Sequence, residues 1–212
     1  MKWDKIYETK GVVQNKPLSI CKKLYNILPN KKLNILDLGC GTGRHSFLLA
    51  NNIKWNIISL DNSQKALNYI EDKAKIHNLK NITTVNANFE KIPFKENEFD
   101  VIISTKAIHH GTFNTMKIIS REINRVLKPG GLLLLVVPSI KDFRSNFGDI
   151  LEDYNTRVNC PALIDPEIPH HFFTKDELQT LFNYKSIYFK TITRSSVNGF
   201  KKVTYFDLIF KK

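Results

Sequence analysis

Cysteine is scarce in this 212-residue chain: Cys21, Cys40 and Cys160 stand far apart, with neither an even disulfide set nor a zinc-ligand spacing. Long apolar runs are missing too. A membrane span needs about 18 apolar residues, and the longest run here, Leu132 to Pro138, has the length of a buried strand. The opening residues Met1-Lys2-Trp3-Asp4-Lys5 contain no apolar signal region. Repeats, low-complexity tracts and long linkers are absent, and no arginine cluster interrupts the sequence. These absences lead us to expect a reduced, cytoplasmic protein made of one domain, with no membrane partner. The G-x-G-x-x-G fingerprint of dinucleotide binding is missing as well: the sixth position from Gly39 is Arg44, and from Gly41 it is Ser46.

A different glycine pattern is present. In Ile35-Leu36-Asp37-Leu38-Gly39-Cys40-Gly41-Thr42-Gly43-Arg44 an apolar run ends beside an acid, and three glycines alternate before a helical pattern starts. Glycines at that spacing let a ligand lie against the peptide groups, and the free N–H groups of the following helix point at it. A carboxylate beside the loop suits a ligand bearing an ammonium group better than a pyrophosphate. Asp61 ends a second apolar strand 22 residues after Gly39, where a carboxylate can accept from the ribose hydroxyls of an adenosine ligand.

Strand and helix patterns alternate: strands over 33–38, 55–61, 82–88, 100–105 and 131–138, helices over 17–28, 43–52, 62–78 and 113–127. Such alternation requires a mostly parallel sheet with helices on both faces. The rhythm then stops over 139–173. Thr174-Lys175-Asp176-Glu177 reads as a capping box opening a short helix to Asn183. Two strands joined at Asn198-Gly199 read as a terminal hairpin.

The glycine loop, Asp61, the strand leading to Asn88-Phe89, Phe99-Asp100-Val101-Ile102-Ile103-Ser104 and Arg125-Val126-Leu127-Lys128-Pro129-Gly130-Gly131 together resemble, in order and spacing, the motifs of class I S-adenosylmethionine-dependent methyltransferases, in the branch of small type 11 enzymes. The resemblance covers roughly residues 34 to 138. It implies an α/β Rossmann-like fold with a seven-stranded, mostly parallel sheet, an antiparallel last strand and helices on both faces. Residues 1–30 would form an N-terminal lid and helix, 31–138 the cofactor core, 139–173 a substrate-side insertion, and 174–212 the final helix and hairpin. S-adenosyl-L-methionine is the implied cofactor.

Within that frame Gly39, Cys40, Gly41 and Gly43 would pass under the methionine portion, with Asp37 drawing its ammonium group directly or through water. Asp61 and Asn62 would meet the ribose, Asn88 and Phe89 the adenine, and Thr105 the pocket floor. Asn88 replaces an acidic residue usual in the family, yet an amide can still pair with adenine. As plain structure, Asn88 and Phe89 would be a loop cap and a core aromatic. Trp3, Tyr7 and Lys16 resemble the lid of small-molecule enzymes of the tellurite-resistance type.

Two histidine pairs are the candidates for acceptor chemistry, because imidazole is the natural base near neutral pH. His109 and His110 follow the fourth strand and would act catalytically, or else only shape the pocket wall. His170 and His171, with Tyr154 and Arg157, would contact substrate from the insertion, or else anchor it. No carboxylate or cysteine stands at ligand spacing beside the histidines, so no metal is expected.

The motif of adenine and glutamine amino-methyltransferases, Asn/Asp-Pro-Pro-Tyr/Phe, is replaced by Ser104-Thr105-Lys106-Ala107. The Pro-Cys pair of cytosine five-position enzymes is reversed in Cys160-Pro161. A small-molecule acceptor is therefore the leading expectation. The 32 basic against 20 acidic residues, a net charge of +12, keep a tRNA-modifying wobble-uridine enzyme as an alternative. A catalytically silent cofactor-binding subunit is a third.

Overall fold

A computed structural model describes residues 2–12, 15–151, 153–195 and 201–212. The side chain of Tyr154 and the Asn198-Gly199 turn lie outside the described residues. Strands β1 (Leu33–Leu38), β2 (Trp55–Asp61), β3 (Ile82–Asn86), β4 (Phe99–Thr105) and β5 (Leu127–Pro138) run parallel. They are followed by β6 (Asp149–Leu151), β7 (Asp153–Val158), β8 (His170–His171), β9 (Lys185–Ser195) and β10 (Lys202–Lys211). The seven-stranded sheet has the order β3-β2-β1-β4-β5-β10-β9, and β10 lies antiparallel to both neighbours. The expected sheet and its antiparallel last strand are present.

Alternate residues of each central strand face opposite layers, as a pleated strand dictates. Leu36, Leu38, Ile102, Leu133, Leu135 and Val137 pack with α5 (Phe113–Val126) and α6 (Lys175–Leu181) through Met116, Ile119, Ile123 and Leu178. Ile35, Ile103, Leu134 and Val136 pack instead with α2 (Ser19–Ile27) and α3 (Arg44–Ala50) through Ile20, Leu24 and Leu49. The chain runs outward through β1, β2 and β3, then crosses back to place β4 against the other side of β1. That reversal opens a crevice at the carboxyl ends of β1 and β4, where open α/β sheets bind ligands.

Two features differ from the sequence expectation. A helix, α1 (Lys2–Lys10), precedes the expected one and docks on the start of α4 (Gln64–Ile76). There the Asp4 carboxylate accepts the Ser63 hydroxyl at 2.7 Å and the Lys65 N–H at 3.2 Å, and Glu8 pairs with the Lys65 ammonium. An acid at a helix N-terminus complements the helix dipole.

The second difference is that the 139–173 insertion, where no strand was expected, has regular structure. It forms a small antiparallel sheet, β6-β7-β8, and its end is core: Phe172 and Phe173 are fully buried, whereas Phe147 and Ile164 are exposed. The capping box is as expected, with Thr174 accepting the Glu177 N–H and Glu177 accepting the Thr174 N–H.

Candidate active site

The crevice is a cavity of about 500 Å³, within the size range of small-molecule sites. Its floor is the turn after β1. Gly39 sits at φ +75°, and a Cβ there would collide with the Ala107 Cβ and come within 3.0 Å of the Phe89 ring. Gly41 sits at φ +52°, where a Cβ would stand 2.7 Å from the Tyr7 hydroxyl. The backbone is therefore left bare on the cavity side, a cradle that side chains would fill.

Asp61 closes one wall. Its carboxylate accepts the Gly41 N–H at 2.9 Å and the Ser63 N–H at 3.0 Å, so the acid at the end of β2 also holds the glycine loop in shape. Burial pushes its carboxyl up from the ordinary range, against the pull of those N–H groups. Asn62, Asn88 and Phe89 line the same end, and the Asn62 amide donates to the Asn88 oxygen at 3.2 Å. Cys40 and Thr105 also line the cavity, and the Thr105 hydroxyl lies 3.1 Å from His45 Nδ1.

Four expected site residues lie elsewhere. Asp37 is enclosed beneath the loop, where it accepts the Ser46 hydroxyl at 2.7 Å, and Ser46 in turn accepts from Ser59 at 2.8 Å. Burial pushes the Asp37 carboxyl up to about 6. Gly43 caps α3 and faces Ile70 and Phe47 rather than the cavity. His171 is fully buried, with Nδ1 2.9 Å from the Thr156 hydroxyl and its ring stacked on Phe113, so it fastens the insertion to the core. Arg157 is not among the lining residues and donates to the Thr156 carbonyl at 3.2 Å.

The lid expectation divides in the same way. Trp3, Ile6 and Tyr7 of α1 line the cavity, while Lys16 is exposed on the surface.

The two histidine pairs meet because the backbone sews them together. The Gly111 N–H donates to the Pro169 carbonyl and the His171 N–H to the His109 carbonyl, both at 2.9 Å. This pairing places His109, His110 and His170 in one group, with ring centroids 4.1 to 5.2 Å apart, and brings the Trp3 ring edge-on to His110 at 4.8 Å. Burial holds His109 and His110 below the usual histidine range.

Asp165, which no spacing in the sequence connects to the histidines, completes the group. Its carboxylate is 3.4 Å from His110 Nε2 and 3.2 Å from His170 Nε2. Sequence reasoning also passed over Lys106 and Tyr205, which line the cavity with the Lys106 ammonium over the Tyr205 ring at 4.4 Å. Neither belongs to a motif, and only the fold brings β10 beside the end of β4.

A glycine cradle at the switch point of this sheet, with an acid at the end of the neighbouring strand, is the arrangement of a nucleotide-type cofactor site. A family model described as a methyltransferase domain matches residues 29–186, and the chain belongs to that family; its cofactor is S-adenosylmethionine.

A demethylmenaquinone methyltransferase of Lactococcus lactis is 37% identical over 111 residues, 50% of this chain and 42% of that protein. The chain spans about half the length of the curated relatives it matches. Among solved structures, a methyltransferase of Methanosarcina mazei described as SAM-dependent superposes with a TM-score of 0.76 at 23% identity. The match covers 93% of this chain and 98% of that one. The 1,6-didemethyltoxoflavin-N1-methyltransferase of Burkholderia thailandensis, solved with 1,6-didemethyltoxoflavin and S-adenosylhomocysteine, gives 0.71 at 15% identity. There the match covers 98% of this chain and 84% of that one. At these identities the likeness carries the fold alone.

Among the described residues no helix is long and apolar enough to cross a membrane.

Proposed function

We propose that the protein methylates a small organic molecule held in the cavity between the glycine loop and the histidine group. The observation that carries this is the shape of the site. One cavity of about 500 Å³ is bounded by the bare backbone of Gly39 and Gly41 and by His109, His110 and His170. α1 folds over it through Trp3 and Tyr7. A space on that scale suits a cofactor and a compact acceptor. The names of the Lactococcus and Burkholderia proteins, which specify demethylmenaquinone and 1,6-didemethyltoxoflavin rather than a nucleic acid or a protein, support an organic-molecule acceptor.

When bound, the cofactor supplies a methyl group on a sulfonium, whose leaving group is a neutral thioether. The chain's own part is placement. Asp61 and Asn62 would hold the ribose, Asn88 and Phe89 the adenine, and the Gly39–Gly41 backbone the methionine portion. Asp37 acts from beneath the loop by fixing Ser46 in the first turn of α3. Trp3 and Tyr7 exclude water, which keeps the reacting atoms aligned. The imidazoles of His109, His110 and His170 face the remaining space, where the acceptor would sit.

The test is to incubate the protein with methyl-labelled S-adenosylmethionine and an extract, then separate low-molecular-mass solutes from RNA and protein. Label in the small-solute fraction supports the proposal. Label confined to tRNA would establish the nucleic-acid alternative instead.

A further inference from the structure

The His110 and His170 rings are both fixed by backbone carbonyls. His110 Nδ1 lies 2.7 Å from the Ala107 oxygen, and His170 Nδ1 lies 2.7 Å from the Ile168 oxygen. A carbonyl oxygen only accepts, so in each neutral ring Nδ1 carries the hydrogen and Nε2 presents a lone pair. Both Nε2 atoms converge on the same carboxylate, Asp165, at 3.4 and 3.2 Å. Both Nε2 atoms face the carboxylate, and neither Asp165 oxygen has a partner in full hydrogen-bond geometry among the described residues. His109 joins them with a buried Nδ1 that also finds no partner among those residues. One ring nitrogen from each of the three histidines lies within 4.8 Å of the others.

Acceptors gathered in this way, with the His110 and His170 rings each held by an outer hydrogen bond to a carbonyl, are arranged as metal ligands are. Ligand atoms around a tetrahedral ion at about 2.1 Å stand about 3.4 Å apart. The two carboxylate–imidazole separations, each to a different oxygen of Asp165, are of that size, and the three histidine nitrogens lie within 4.8 Å of one another.

We infer that His109, His110, His170 and Asp165 bind a divalent transition ion of the zinc class at the acceptor end of the cavity. Three imidazoles and one carboxylate select such an ion over magnesium or calcium, which prefer all-oxygen shells. All four residues line the cavity, so the ion keeps a face toward the acceptor.

This inference rests on the methyltransferase reading and names its acceptor class: a hydroxyl or thiol whose oxygen or sulfur coordinates the ion. Coordination weakens the O–H or S–H bond, and the proton leaves to water. The lone pair left on the coordinated atom forms the new bond to the methyl carbon. The carbon–sulfur bond of the sulfonium breaks, and its electron pair goes to sulfur.

The experiment titrates metal-stripped protein with Co²⁺ and reads the visible d–d absorption, while calorimetry with S-adenosylhomocysteine runs in parallel. The expected result is one Co²⁺ per chain with imidazole-type bands, displaced by Zn²⁺ and not by Mg²⁺. His170→Ala and Asp165→Asn should each weaken Co²⁺ at least tenfold while S-adenosylhomocysteine affinity stays unchanged. The retained affinity shows that each variant is folded; should one not fold, His110→Gln replaces it. Normal S-adenosylhomocysteine binding with no Co²⁺ site, or with a site indifferent to these substitutions, would overturn the inference and leave the methyltransferase reading standing. Failure of S-adenosylhomocysteine to bind the wild-type chain would instead remove that reading.

Discussion

The Asp61 carboxylate and the Gly41 N–H are 2.9 Å apart, so the acid at the end of β2 and the glycine loop after β1 form one unit. Losing the carboxylate would release the loop and, on the proposed reading, also remove a ligand for the ribose. The two consequences separate experimentally, because Asp61→Asn keeps an acceptor for Gly41 while removing the charge.

The loop itself makes the next prediction. Gly39→Ala places a methyl group against the Ala107 Cβ on backbone at φ +75°. Cofactor binding should fall by at least tenfold, and the melting temperature should drop as well, because the clash is with neighbouring core and not with a free side chain. A Gly39→Ala variant that binds S-adenosylhomocysteine normally would show that the loop is not the cradle.

The N-terminal helix should control cofactor exchange. Asp4 joins α1 to the first turn of α4, and the exposed Glu8–Lys65 pair adds little to it. Asp4→Ala should raise the dissociation rate of S-adenosylhomocysteine severalfold in stopped-flow displacement, whereas Glu8→Ala should change it less than twofold. Equal effects of the two substitutions would mean that α1 is held some other way.

Asp37 sets a pH dependence of stability. Burial pushes its carboxyl up to about 6, above the ordinary carboxylate value of 3.8. A group raised in this way supports the fold fully below its unfolded pKa, and that support is lost as pH rises through the folded one. Stability should therefore fall between about pH 4 and 6 from this residue. Asp37→Asn should remove that slope and be the more stable form at pH 7.5, by up to about 3 kcal/mol. His45, which burial holds at about 3, contributes the opposite slope as pH falls below 6.5, so the comparison must be between variant and wild type at each pH. An Asn variant less stable than wild type at pH 7.5 would show that the Asp37–Ser46 hydrogen bond outweighs the burial cost.

The central sheet was legible because its central strands are apolar runs separated by amphipathic helices, a pattern that calls for a mostly parallel sheet covered on both faces. The glycine-loop end of the cavity was legible for a related reason: Gly39, Gly41, Asp61, Asn88 and Phe89 sit at or just past strand ends, where order along the chain fixes place in space.

The acceptor half was not. Asp165 lies in Ile164-Asp165-Pro166-Glu167, which has no periodicity, and it reaches His110 only through the pairing of β8 with the turn after β4. The strands of the insertion are two to six residues long, too short to show alternation. Asp37 was legible as a strand-end acid, but its enclosure depends on Ser46 and Ser59 meeting beneath the loop. α1 is a nine-residue segment with weak helix signals of its own, and its partner on α4 lies some 60 residues away.

The most direct measurement is calorimetric titration of S-adenosylhomocysteine into the wild-type chain and into folded Asp61→Ala. The account predicts one site per wild-type chain and a loss of about 1–3 kcal/mol in the variant, the cost of charged hydrogen bonds to the ribose and of a loosened loop. No binding to the wild type, or unchanged affinity in the variant, would contradict it.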